Sequence, residues 1–169
     1  MAKQYDTRPE MALEDGKTYS AVIELEKGGE IFVDLFATEA PETVNSFVFL
    51  AGDGYYDGIT FHRVIPGFVA QGGDPTGTGS GGPGYNVPDE VNDNHHSEGT
   101  LAMAKTAAPD SAGSQFYLCL ADVPHLDGNY TAFGRVSGGL DVMHTIRERD
   151  PQSDSQPGDA IKTIRISVD

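Results

Sequence analysis

Phe61-His62-Arg63-Val64-Ile65-Pro66-Gly67-Phe68-Val69-Ala70-Gln71-Gly72-Gly73-Asp74 places two short β signals around a tight turn. Residues 59–65 alternate as a strand, Pro66-Gly67 is a turn dipeptide, and Phe68 to Gln71 begins a second strand. The glycine- and proline-rich run 72–84 is too irregular for a ladder and reads as loop. On the N-terminal side, residues 19–25 and 30–36 flank Lys27-Gly28-Gly29 and predict a hairpin. On the C-terminal side, residues 100–104, 116–120, 131–136 and 161–168 predict further strands. Pro41 opens a helical pattern that places Val44, Phe47, Val48 and Ala51 on one face and ends at Gly52 and Gly54. A weaker helical pattern covers 139–147. The result is a mainly β chain of about eight strands and two helices, for which a closed barrel or a sandwich removes the exposed edges.

Composition sets the outer bounds. A chain of 169 residues suits one domain; residues 1–17 are mixed and polar and read as an N-terminal arm, leaving 18–169 as the domain. With 21 glycines and 10 prolines the chain holds too many turn formers for a helical bundle. A single cysteine, Cys119, excludes an intrachain disulfide and any multi-cysteine zinc site, and its apolar neighbours mark it as a small buried hydrophobe. The net charge of −15, from 26 acids against 11 bases, opposes nucleic-acid phosphates and anionic membranes. No apolar run approaches the ~20 residues that cross a bilayer, and Met1-Ala2-Lys3-Gln4-Tyr5-Asp6 lacks the apolar core of a signal peptide. A soluble cytoplasmic protein is expected, without nucleic-acid or membrane partners.

The stretch 61–74 resembles the cyclophilins, the peptidyl-prolyl cis–trans isomerases, and three further blocks agree in order: Ala40 to Phe47, Gly113-Ser114-Gln115-Phe116, and Leu126-Asp127-Gly128 followed by Phe133-Gly134. The resemblance covers roughly residues 18–168. It implies a closed eight-stranded antiparallel barrel capped by two helices, acting on proline-containing peptides and folding proteins as a monomer, without metal or cofactor. It also implies that Arg63 is the central catalytic residue and that Gln71 orients it or binds substrate backbone. The proline pocket implied is walled by Phe68, Val69, Tyr117 and Leu126, with Phe61 and His62 flanking the arginine. Gln115, Gly79, Ala104, Lys105 and Thr106 match positions along the peptide groove. This chain departs from the familiar eukaryotic pattern at Val69, Tyr117, Lys105, His125 and Tyr130, the last two at the pocket edge. His125 stands where many members carry tryptophan, so cyclosporin binding is expected to be weakened.

The residues themselves fit that chemistry. An X–Pro bond isomerises across a barrier near ~20 kcal/mol because the nitrogen lone pair is delocalised into the carbonyl. A fixed guanidinium can favour the twisted state by donating to the nitrogen as it becomes pyramidal. No proton is transferred, so His62 has no task as a general base. Hydrolysis by Ser114 with His62 or His125 lacks any nucleophile elbow. Asp93, His95, His96 and Glu98 could gather a cation but read as a solvated loop, and the glycine run 77–84 lacks the Gly-Lys-Ser/Thr ending of a phosphate loop. A proline-peptide binding module with little turnover is the alternative function.

Overall fold

The computed structural model describes residues 3–169; Met1 and Ala2, the first two residues of the expected arm and of the segment read for a signal peptide, lie outside them. Eight strands form one antiparallel sheet: β1 (Tyr19–Leu25), β2 (Glu30–Leu35), β3 (Arg63–Ile65), β4 (Val69–Gly72), β5 (Thr100–Met103), β6 (Phe116–Cys119), β7 (Ala132–Gly138) and β8 (Ile161–Val168). Their order is β3-β4-β6-β5-β7-β2-β1-β8. In β1 the alternation is plain, with Tyr19, Ala21, Ile23 and Leu25 turned into the core.

The expected closure is incomplete. The end strands β3 and β8 do not pair, and the sheet curls into a half-barrel whose gap is crossed by single bonds. The expected strand over 59–65 is therefore divided. Its second half, β3, pairs with β4, whereas Phe61 N–H donates to Asp159 O (2.9 Å) and Ile161 N–H donates to Ile59 O (2.8 Å). The outer edge of β3 is met by Arg149, which exchanges two backbone bonds with Val64. The run divides where its partner changes: residues 59–61 bond the 159–161 segment, and 63–65 bond β4.

Helix α1 (Pro41–Gly52) packs against β8 and buries Val44, Phe47, Leu50 and Ala51, with the Phe47 ring among Tyr56, Phe116 and Phe133. Its N-terminus has no cap from its own side chains. Instead the Glu90 carboxylate, from a distant loop, accepts from Glu42 N–H (3.0 Å) and Thr43 N–H (2.7 Å), an anion at the positive end of the helix dipole. The helix expected over 139–147 is one turn, α2 (Leu140–Met143), beside β2. It stops because both the amide and the hydroxyl of Thr145 bond Val142 O.

Strand β6 is buried on both faces. Phe116 and Leu118 enter the main core, while Tyr117 and Cys119 join Val69, Ala102 and Val123 in a second, smaller cluster on the other side of the sheet. A single turn of 3-10 helix, Pro124–Leu126, which sequence periodicity does not mark, carries Leu126 onto that second cluster.

Replacing Glu90 by Ala leaves two helix N–H groups without their acceptor and should cost about 1–2 kcal/mol of stability. A urea unfolding midpoint equal to that of the parent would contradict the capping role.

Candidate active site

The second cluster is the floor of a small hollow of about 150 Å³, bordered by Arg63, Phe68, Val69, Gln71, Ala104, Lys105, Tyr117, Leu126 and Tyr130. Nine residues that the sequence singled out thus converge from the three strands β3, β4 and β6 and from the turns and loops beside them. β3 supplies Arg63 and β4 supplies Gln71 directly opposite it in the ladder. Arg63 Nη1 donates to Gln71 Oε1 (3.2 Å), and the guanidinium lies 5.9 Å from the centre of the Phe68 ring. Gln71 Nε2 donates in turn to Gln115 Oε1 (3.1 Å), and Gln115 Nε2 donates to Gly79 O and Gly81 O (both 2.9 Å). The arginine is held by a row of amides whose far end rests on the glycine-rich loop.

That loop is ordered by a residue the sequence reading did not assign. Asp74 is buried and accepts from Thr76 N–H and Oγ1–H, Gly79 N–H (2.6 Å) and Gly81 N–H (3.1 Å). Burial alone would raise its carboxyl, but these hydrogen bonds outweigh it and hold the group below the usual carboxylate range. Gly81 passes so close to the carboxylate that a Cβ would collide with it. The signal was present in the sequence: an aspartate directly before a run of small residues whose backbone amides are free to turn toward it.

His125 is exposed and stacks on Phe68, ring centres 5.8 Å apart and planes 17° from parallel. Tyr130 meets Tyr117 edge-on (6.0 Å, 84°). The Tyr117 hydroxyl, which this chain places in the pocket wall, is buried and has no hydrogen-bond partner among the described residues. Lys105 Nζ lies 3.4 Å from Asp89 Oδ2. Thr106 and Gly79 border a second, larger hollow, which shares Gln71, Ala104 and Lys105 with the first.

Two expected lining residues stand elsewhere. Phe61 has no exposed surface and packs its ring against Phe116 in the main core, so it supports the wall from behind. His62 is buried behind Gly79, where a Cβ would lie 3.7 Å from its Nε2. Both belong to the segment that links β3 to the half-barrel gap, and the inward side of that segment faces the core.

The remaining sequence candidates are engaged in other contacts. Ser114 is buried, donates to Gly73 O (2.7 Å) and touches Tyr55 Oη (2.9 Å). His95 Nδ1 and His96 Nδ1 both contact Asp127, while Glu98 contacts His144 (2.7 Å), so these side chains do not converge. Burial pushes the Cys119 thiol up to about 12, consistent with an inert hydrophobe. The backbone amide of His96, then the His95 and His96 side chains, hold the Asp127 carboxyl down at about 2.

Comparison with known proteins settles the family. The family model described as cyclophilin type peptidyl-prolyl cis-trans isomerase/CLD matches residues 21–168. The chain belongs to the cyclophilin family. A Synechococcus elongatus protein named peptidyl-prolyl cis-trans isomerase is 48% identical over 151 residues, covering 88% of this chain and 97% of its own length. The Bacillus subtilis peptidyl-prolyl cis-trans isomerase B is 45% identical, with 84% and 94% covered. Among solved structures, a Cryptosporidium parvum cyclophilin type isomerase superposes with a TM-score of 0.79 at 32% identity, covering 89% of this chain and 98% of that one. The same Cryptosporidium cyclophilin was also solved in the presence of the dipeptide Ala-Pro; that structure has a TM-score of 0.78 at 34% identity and covers 88% and 98%.

Burial holds two histidines of this cyclophilin neutral. It lowers the His62 pKa, helped by Arg149 and Arg63 and opposed by Asp74. It also lowers that of His96, outweighing the adjacent Asp127. The unfolded chain therefore takes up these protons first as pH falls below about 6.5, and stability drops. The Asp127 contribution is present above about pH 4 and is lost toward pH 2. Between pH 7.5 and 5.5 the thermal midpoint of a His62→Gln variant, which cannot titrate there, should fall less than that of the parent. Equal falls would contradict a neutral buried His62.

Proposed function

We propose that the Arg63 hollow accelerates rotation about X–Pro bonds in peptides and folding proteins, and does so without a covalent intermediate. The observation that carries this reading is the arginine itself, half-buried at the border of a small depression that Phe68, Val69, Tyr117 and Leu126 also line, and restrained by Gln71 and by the Phe68 ring. A prolyl ring fits against Phe68, Val69, Tyr117 and Leu126, a surface that takes apolar area out of water. With the ring held, the preceding carbonyl swings while the guanidinium donates to the prolyl nitrogen. That nitrogen accepts well only once its lone pair has left the amide resonance, so the bond is stronger in the twisted state than in either planar one. Ala104 N–H is already bonded to Gln115 O (3.0 Å), so peptide main chain running past this edge meets the Ala104 carbonyl.

The same reading makes Gln71 and Gln115 positioning residues, since each acts through the next side chain in the row. It keeps Phe61 and His62 as support. We further propose a monomer acting in the cytoplasm, supported by a net charge of −15, which keeps copies apart and in solution.

Loss of a hydrogen bond from a charged donor costs about 1.5–3 kcal/mol. Arg63→Ala should therefore lower kcat/KM for a short proline peptide by about 10- to 100-fold with the thermal midpoint little changed. Arg63→Lys should recover only part of the loss, because an ammonium lacks the planar fork. Near-parental turnover in the alanine variant would refute the mechanism, and a parent that binds the peptide without isomerising it would mark a binding module instead.

Cyclosporin inhibition follows from the pocket edge. His125 covers Phe68 with a small ring where a tryptophan would add apolar area and an N–H donor. His125→Trp should tighten inhibition by about tenfold while turnover changes little, since the prolyl site lies on the other residues. Equal inhibition constants for parent and variant would remove His125 as the determinant.

A further inference from the structure

The N-terminal arm lies outside the residues that the family model matches, yet it reaches the substrate side of the molecule. The larger hollow, about 710 Å³, is bordered by the 79–86 loop, by Lys105, Thr106 and Gln115, and by Gln4. Gln4 arrives there through a set of contacts that hold the arm in one register. Tyr5 N–H donates to Pro83 O (2.8 Å), and Gln4 Nε2 donates to Gly82 O (2.7 Å). On its other side the Tyr5 ring is packed among Phe49, Tyr55 and Tyr85, with ring centres 5.2, 6.3 and 6.3 Å away, and its hydroxyl donates to Asp53 Oδ2 (2.6 Å). Gly84 has a φ of +97°, and a Cβ there would stand 2.5 Å from Tyr5 O. The loop therefore accepts the arm only because that position has no side chain.

We propose that the arm is a specificity element of this cyclophilin: Tyr5 anchors it, and Gln4 completes a wall of the larger hollow, which takes residues of the substrate peptide flanking the X–Pro bond. The inference rests on the proline hollow being the substrate site. The two hollows share Gln71, Ala104 and Lys105, so a peptide whose prolyl ring sits in one has its neighbouring residues at the mouth of the other. The Pro83 and Gly82 carbonyls that the arm binds belong to the same loop whose Gly79 and Gly81 carbonyls receive Gln115. The arm thus fixes the outer end of a loop whose inner end steadies the arginine row. Tyr5 is a positioning residue, because it acts through Gln4 and the loop.

The test is a calorimetric titration of the parent, Tyr5→Ala, Tyr5→Phe and Gln4→Ala. The probes are a blocked tetrapeptide containing Ala-Pro and two hexapeptides that extend it by two residues on one side or the other. In the parent, one of the extensions should tighten binding. Tyr5→Ala should reduce that gain by about 3- to 10-fold, the scale of one or two hydrogen bonds. Tyr5→Phe, which keeps the ring packing, should retain most of it. A general loss of stability would lower the affinity of all three peptides alike, and so leaves the gain itself unmoved. If Tyr5→Ala does not fold, Gln4→Ala decides the matter, since Gln4 is exposed and leaves the ring anchor intact; it too should reduce the gain. A gain that survives in the variants, or a parent that gains from neither extension, overturns the role of the arm alone. A parent that binds none of the peptides overturns the substrate site, and the arm with it.

Discussion

Burial of β6 on both faces is the constraint on which the molecule is built. A strand in a half-open sheet ordinarily turns one face to water. Here Phe116 and Leu118 are locked into the main core while Tyr117 and Cys119 are locked into a second cluster. The small hollow around Arg63 therefore rests on a floor that cannot shift without disturbing the core beneath it. Sites carried on strands hold their geometry more closely than sites carried on loops, and in this protein the two side chains that must face each other, Arg63 and Gln71, are ladder partners.

What the sequence disclosed follows from how local each signal is. Alternation in β1 and β2 and the Pro41 helix start depend on residues within one element, and those elements appear as read. The half-barrel gap was not legible, because whether β3 meets β8 depends on bonds from Phe61 and Ile59 to residues 159–161, nearly a hundred positions away. The cap of α1 was hidden for the same reason: Glu42 and Thr43 look locally well placed, but their acceptor is Glu90.

The site was legible in a similar pattern. Arg63, Gln71, Phe68, Val69, Tyr117 and Leu126 converge as the family resemblance implied. Phe61 and His62 did not reach the hollow, since they precede β3 in an irregular segment that buries both, Phe61 against Phe116 and His62 behind Gly79, and a resemblance says nothing of which side chains face the core. Asp74 ended the most informative stretch of the sequence without being given a task. Its role became visible only when the amides of Gly79 and Gly81 could be seen to close on it.

The row from Arg63 through Gln71 to Gln115 contains no carboxylate and no imidazole. Primary amides neither gain nor lose a proton over the range in which proteins remain folded. The guanidinium is therefore oriented by partners that carry no charge of their own, which leaves its positive charge uncancelled within the row. Acidity reaches its direction only through the Asp74 carboxylate that holds the loop at the far end of the row, a group kept below the usual carboxylate range. The folded state, by contrast, depends on His62 and His96 remaining uncharged. As acidity rises, this enzyme loses its scaffold before it loses its aim.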